Sequence, residues 1–124
     1  MGKWVARMPA RRRHLRATLT ILLDAGGEPV EIREICAKIR EMDRQKDLTM
    51  VAPRRIGHIT QLATKVGVIE KHTQRINGFY ITSYSISQLA LGFSADELLP
   101  CTITRKEPPP WLNDSSSCHT EDEP

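Results

Sequence analysis

The feature that most constrains the fold is an Asn77-Gly78 pair between two strand-like runs, within the stretch of residues 51–87. Asn-Gly is the preferred loop of a two-residue hairpin because both residues tolerate positive φ. A turn at this pair predicts four facing pairs along the ribbon: Ile76/Phe79, Arg75/Tyr80, Lys71/Tyr84 and Ile69/Ile86. The last pair is apolar, so we expect the open end of the ribbon to join a hydrophobic core.

A helix is predicted immediately before this ribbon, over residues 53–66. Pro53 suits the first helical position, and Gly67 suits a left-handed residue after the last turn. Five apolar side chains follow the helical period on one side: Ile56, Ile59, Leu62, Ala63 and Val66. A second stripe has spacings of four, three and four, and projects within about 60° on another side: Arg54, His58, Gln61 and Lys65. Arg55 lies toward the apolar side, where we expect it to pair with a carboxylate.

The rest of the chain divides into short segments. We expect a flexible basic arm at residues 1–8, helices at 9–24 and 31–43, and a short extended piece near Pro29. Ser94 and Glu97 have the spacing of a capping box, which predicts a short helix at 95–99. Residues 100–124 are rich in Pro, Ser and acids, and we expect them to be disordered. The fold class is therefore α+β, mainly α: one domain over 9–90, a short C-terminal helical segment over 91–99, and a tail.

Charge is unevenly distributed along the chain. Residues 1–89 carry sixteen Lys and Arg against eight Asp and Glu, whereas residues 90–124 carry two against seven. The densest basic cluster precedes residue 17: Lys3, Arg7, Arg11, Arg12, Arg13 and Arg16. A basic domain with an acidic tail suggests a polyanionic partner, with the tail weakening non-specific contacts. A domain with an ordinary solvated tail explains the charge about equally well.

Several functional classes are disfavoured by the sequence. No apolar run approaches about 18 residues, so we expect no membrane span. Three cysteines without a secretory signal favour a reducing compartment: the cytoplasm or nucleoid, or the nucleus in a eukaryote. Cys101, Cys118 and His119 lack a C-x-x-C pair, so we expect neither structural zinc nor another cofactor. No phosphate loop, nucleophile elbow or metalloprotease motif is present, and we expect a protein that is not an enzyme.

The order helix, short strand, helix, helix, strand, strand, short helix resembles the winged helix-turn-helix superfamily over residues 10–90. The resemblance is carried by R-x-I-G at 54–57, Leu62, G-V-I-E at 67–70 and F-Y-I at 79–81. In that superfamily the third helix usually enters the major groove, and the wing often contacts the minor groove or backbone. The resemblance implies a DNA-binding transcriptional regulator with these contacts: Arg54, Arg55, His58, Gln61 and Lys65 from the third helix; Lys71, His72, Gln74 and Arg75 from the wing; and Arg11, Arg12 and Arg13 from the basic start.

Other interpretations stay open at this stage. Winged helices also serve as protein-interaction subunits of replication, transcription or RNA-processing complexes, because fold does not fix function. RNA is a further candidate partner, and homodimerisation through the first helix is another option. Within the ribbon, Lys71 and Arg75 share a face with two tyrosines that we expect to serve in packing, while His72 and Gln74 lie on the other face. The sequence does not decide which face meets a partner.

Overall fold

The computed structural model describes residues 10–42 and 52–112. Eight helices and strands follow in chain order: α1 (Ala10–Asp24), β1 (Val30–Glu31), α2 (Ile32–Met42), α3 (Pro53–Ile59), α4 (Gln61–Lys65), β2 (Ile69–Ile76), β3 (Phe79–Ile86) and α5 (Ala95–Ile103). A 3₁₀ turn, Gln88–Ala90, joins the sheet to α5. The predicted α+β, mainly helical class is confirmed. The predicted arm at residues 1–8 lies outside the described residues.

Helix α1 is the central packing element, in contact with α2, α3, α5 and the sheet. Leu15, Leu19 and Leu22 recur at helical spacing and are at most 1% exposed, so one stripe of α1 is fully buried. The helix ends at Asp24, and Gly26 follows with a φ of 65° that a residue with a side chain rarely adopts. The predicted first helix is thereby confirmed from residue 10 onward.

The three strands form an antiparallel sheet in the order β1-β3-β2. All four facing pairs predicted for the ribbon are present, from Ile69/Ile86 at the base to Ile76/Phe79 at the turn. Asn77 and Gly78 have φ values of 51° and 83°, the left-handed pair that a two-residue hairpin requires. Strand β1 adds to the far edge of β3, with Val30 opposite Tyr84.

One hydrophobic core joins all the layers of the domain. Its buried members come from each helix and from the base of the ribbon: Leu19, Ile35, Ile39, Ile56, Ile59, Ala63, Val68, Ile69, Ile86 and Leu98. Among the described residues no helix is long and apolar enough to cross a membrane.

The third predicted helix is interrupted at Thr60, which corrects the expectation of one helix over 53–66. Thr60 has a φ of −97° and a ψ of 2°, and its hydroxyl donates to the carbonyl of Ile56 at 2.7 Å. Such back-bonding by a threonine hydroxyl bends helices. The backbone N–H of Thr64 still donates to the Thr60 carbonyl at 3.0 Å, so α3 and α4 continue as one bent rod.

The prediction of a helix ending at Leu99, followed by a disordered tail from Pro100, was wrong for residues 100–112. Helix α5 runs to Ile103 with Pro100 inside it, although proline removes one helical hydrogen bond. The predicted capping box is present at the start of α5, where Ser94 and Glu97 bond reciprocally at 2.8 and 3.2 Å. Leu98 and Cys101 are buried on either side of Pro100, and this packing offsets the lost bond.

The chain after α5 returns to the domain. Trp111 packs against Phe93 with ring centroids 6.4 Å apart, and Pro109 is buried. Trp111, which falls within the tail expected to be disordered, therefore lies against the core. Residues 113–124 lie outside the described part of the chain.

Candidate nucleic-acid interface

Four polar side chains form an exposed stripe along α3 and α4: Arg54, His58, Gln61 and Lys65. We refer to them as the basic-polar stripe. The rotation of the rod is fixed by its opposite side, where Ile56, Ile59 and Ala63 are at most 2% exposed. Burial of these three in the core therefore directs the stripe to solvent, as the sequence predicted, despite the interruption at Thr60.

Arg55 is positioned differently from the stripe. It is half-buried, and its Nε donates to Nδ1 of His14 at 3.3 Å. The predicted carboxylate partner for Arg55 is thus corrected to an imidazole, which accepts at the nitrogen that carries no proton. The contact joins the first turn of α3 to the basic start of α1, and it restrains Arg55 more than its neighbour Arg54.

Sequence reasoning missed His14, which is only 1% exposed. The signal was present, because His14, Thr18 and Leu22 recur every four residues and are all buried on one side of α1. Thr18 confirms this side as buried, since its hydroxyl donates back to the carbonyl of His14 at 2.8 Å.

One face of the hairpin approaches α3. Tyr84 is 1% exposed, and a Cβ placed on Gly57 would stand 3.9 Å from its hydroxyl oxygen. Lys71 and Arg75 lie on this same face by strand alternation, opposite Tyr84 and Tyr80. Lys71 and Arg75, both exposed, are therefore the cationic residues on the ribbon face that approaches α3.

Tyr80 packs within the ribbon although most of its side chain is exposed. It is 71% exposed, and the guanidinium carbon of Arg75 lies 5.7 Å from its ring centroid. That distance is within the range of a cation–π contact. The prediction that both tyrosines serve in ribbon packing is confirmed: Tyr84 is buried at the base of the ribbon, and the exposed Tyr80 ring packs on its cross-strand neighbour Arg75.

The opposite face of the hairpin carries His72 and Gln74. Nε2 of His72 hydrogen-bonds the hydroxyl of Ser85 at 2.9 Å, and Ser85 is only 4% exposed. His72 therefore braces the two strands, a role that its sequence position did not reveal. Gln74 is exposed without a described side-chain partner.

The basic cluster at the start of α1 is partly committed within the protein. Arg11 and Arg12 are exposed, Arg13 is half-buried, and Arg16 binds both carboxylate oxygens of Asp96 at 2.6 and 3.2 Å. The hydrogen bond from Arg16 holds the pKa of Asp96 below its ordinary value. Sequence reasoning counted Arg16 among the free cations, and its partner lies 80 positions away on α5, beyond the reach of local patterns.

The basic cluster at the start of α1 and the basic-polar stripe differ in their neighbouring acidic side chains. Within residues 10–42 and 52–112, ion pairs join Arg16 to Asp96 and Lys38 to Glu34, and neither involves the stripe or the hairpin. The cations at both ends of the stripe, Arg54 and Lys65, thus face solvent with no described acidic partner. This arrangement suits an external anion.

Two free thiols in the described residues are buried. Burial raises the pKa of both Cys36 and Cys101, which favours the unreactive protonated thiol. The Sγ of Cys101 donates to the Leu98 carbonyl at 3.3 Å. In the described ranges no group of three His, Cys, Asp or Glu side chains could hold a metal ion, while Cys118 and His119 lie outside them.

A shallow groove borders the C-terminal end of α4. Its walls include Leu62, Lys65 and Val66 from the bent rod, and Pro109 and Leu112 from the returning chain. The last described residue therefore lies beside one end of the basic-polar stripe, and the residues after Leu112 start there.

No protein-family model matches this chain, and no curated protein or solved structure shows significant similarity to it. The functional assignment therefore depends on the geometry and charge of the side chains described above.

Proposed function

We propose that this chain is a winged-helix domain that binds double-stranded DNA and acts as a transcriptional regulator. In this proposal α1, α2 and the bent rod α3–α4 form the three-helix bundle, and the hairpin β2–β3 forms the wing. The small antiparallel sheet in the order β1-β3-β2 supports the assignment. The proposed role is binding without catalysis, because the exposed cations and amides of the candidate interface suit an anionic partner, and the Ser85 hydroxyl that bonds His72 belongs to a residue only 4% exposed.

The observation that carries the proposal is the exposed basic-polar stripe on a helix whose other side is buried. Arginine and glutamine can each make paired hydrogen bonds to purine edges in the major groove, which is about 12 Å wide and admits a helix. Arg54 and Gln61 therefore suit base edges. Lys65, at the end of the rod, suits a phosphate. His58 lies between them and is equally exposed.

The hairpin adds a second contact region. Lys71 and Arg75 share the ribbon face that approaches α3, so a duplex along the stripe would meet these cations at its backbone or minor groove. Residues 71–86 contain these two cations and no acid. His72, which is bonded to Ser85, is proposed as a brace more than as a contact.

Double-stranded DNA fits this geometry better than double-stranded RNA. The major groove of A-form RNA is deep and narrow, so side chains from an inserted helix do not read it. The stripe lies on an exposed helical surface, which matches the wider groove of DNA. DNA binding also agrees with a reducing compartment, the environment that two buried free thiols suit.

The test is a salt titration of duplex binding followed by fluorescence anisotropy. Replacing both Arg54 and Lys65 by alanine should weaken binding and lower the slope of log K against log salt by about one unit, since Lys65 is the phosphate contact of the pair and each such contact contributes about one. The matched control is Arg33→Ala with Lys106→Ala, which removes the same net charge from exposed sites on α2 and after α5.

An unchanged slope in the Arg54/Lys65 variant would remove the stripe from the interface. If wild-type protein binds neither duplex, single-stranded DNA nor structured RNA, the competing function as a protein-interaction domain is favoured. Preference for structured RNA over duplex DNA would contradict the groove geometry.

A further inference from the structure

The tip of the hairpin exposes large apolar side chains. Of seven large hydrophobic residues exposed in the described part of the chain, three lie within residues 76–80: Ile76 at 43%, Phe79 at 73% and Tyr80 at 71%. Single exposed apolar residues are common on protein surfaces, but a cluster marks a binding site. We refer to these three residues as the apolar tip.

The apolar tip is exposed on both faces of the ribbon. Ile76 and Phe79 pair on one face, whereas Tyr80 lies on the face of Arg75. A flat partner surface would cover one face and leave the other in water. Both faces are buried together if the tip enters a slot between two surfaces.

The charges around the apolar tip indicate the chemistry of that slot. Arg75 lies over the Tyr80 ring at 5.7 Å, and Lys71 lies farther down the same face. The hairpin has one acid, Glu70, near its base, and none from residue 71 to its end at residue 86. An apolar end flanked by cations matches stacked bases flanked by phosphates.

The length and width of the hairpin suit entry into a minor groove that opens. The two-residue turn keeps the end as narrow as the strand spacing, about 5 Å. Residues 71–76 are all exposed, which is about 17 Å of ribbon, and the minor groove is about 7.5 Å deep. The minor groove is about 6 Å wide, and the ribbon with side chains on both faces is wider than that. The tip can therefore enter only if the groove opens.

We propose that the apolar tip is a wedge that inserts between stacked base pairs from the minor groove and bends the bound duplex, while Arg75 and Lys71 contact the adjacent phosphates. Apolar wedges of this kind unstack a base step and kink the helix, which brings more protein surface into contact. This inference rests on the proposed DNA binding. It adds a distortion of the DNA that groove contacts from the stripe would not produce.

The experiment uses the full chain and a 20-base-pair duplex with one central TpA step, a flexible step that is easily kinked. The adenine at that step is replaced by 2-aminopurine, whose fluorescence rises on unstacking, and the duplex ends carry a donor and an acceptor dye. Saturating wild-type protein should increase both the 2-aminopurine signal and the energy transfer between the ends.

Four variants separate the wedge from the rest of the interface. Phe79→Ala and Tyr80→Ala should lose most of both signals and weaken binding about tenfold or less, with the salt slope retained. Phe79→Leu should keep both signals, because leucine also serves as a wedge. Leu89→Ala is the control: Leu89 is 59% exposed but lies in the 3₁₀ turn off the hairpin, and its loss should change neither signal.

Duplex binding by wild-type protein at saturation with neither signal would overturn the wedge and leave the proposed DNA binding intact. The absence of any duplex binding would overturn both. Sedimentation of the free protein tests a second copy as the occupant: a dimer that Phe79→Ala dissociates would assign the apolar tip to self-association and overturn the wedge. Unchanged melting temperatures would show that the variants are folded.

Discussion

The base and the tip of the same hairpin have opposite environments. Tyr84 and Tyr80 lie on one ribbon face, four residues apart, yet Tyr84 is 1% exposed and Tyr80 is 71% exposed. Helix α3 comes close to Tyr84 at Gly57, whereas residues 71–80 of the ribbon are all exposed. Strand alternation therefore determines the face of a residue, and neighbouring elements determine whether it is buried.

The largest expected effect contrasts the two tyrosines. Tyr84→Ala should lower the free energy of unfolding by about 3–5 kcal/mol, the usual cost of deleting a buried aromatic ring. Tyr80→Ala should change it by less than about 0.5 kcal/mol, as for other surface positions. Urea denaturation measures both, with Tyr84→Phe as the control that keeps the ring. Comparable losses from the two alanine variants would contradict the contrast between base and tip.

The backbone conformation of the turn at the tip should contribute to the free energy of unfolding. Gly78→Val places a β-branched residue at a φ of 83°, which should cost about 1–2 kcal/mol. Asn77→Gly is the control, since glycine accepts the φ of 51° found there. The same denaturation experiment applies. An unchanged free energy of unfolding in Gly78→Val would indicate that the backbone of the turn adjusts to the side chain. The tip would then be less rigid than the base.

The hydrogen bond between His72 and Ser85, midway along the ribbon, should have an intermediate effect on the free energy of unfolding. His72→Ala leaves the buried hydroxyl of Ser85 without its bond to the ring, which should cost about 1 kcal/mol. Ser85→Ala and the double variant complete a cycle that isolates the pair. If His72→Ala weakens duplex binding without changing stability, His72 is a contact, and its role as a brace is wrong.

The smallest effect is expected for an exposed ion pair outside the hairpin. Arg16 lowers the pKa of Asp96, so the pair stabilises the fold at neutral pH, and this contribution is lost as pH falls below the ordinary aspartate pKa of about 4. Asp96→Asn should slightly lower the melting temperature at pH 7 and have no effect near pH 2. Glu28→Gln, an exposed acid without a described partner, is the control. A difference in melting temperature between wild type and Asp96→Asn that grows as the pH falls would contradict the expected sign.

Local patterns were sufficient for the hairpin and the capped helix starts. The Asn77-Gly78 pair predicted the register, because a two-residue turn leaves one way to pair the strands. The capping box at Ser94 predicted the start of α5 for a similar reason, since its bonds join residues three positions apart.

Tertiary packing determined what the patterns missed. Burial in the core overrides the local tendency of Pro100 to end a helix, and the contact with Phe93 holds Trp111, a residue in a tail-like composition. The partners of Arg16 and Arg55 lie 80 and 41 positions away. Residue spacing predicted which side of α3–α4 is polar, but it could not distinguish a cation that stays exposed from one that the fold binds.

The groove shared by Lys65 and Leu112 has a consequence for affinity measurements. Residues 113–124 contain four carboxylates and no Lys or Arg, and they are tethered at Leu112, at one end of the basic-polar stripe. Twelve residues span at most about 40 Å when extended, so the attachment at Leu112 sets an upper limit of that distance between these acidic side chains and the end of the stripe. If the stripe binds DNA as proposed, shortening the protein at residue 112 removes four acidic side chains that would compete with the phosphates, and its affinity for the duplex should exceed that of the full chain.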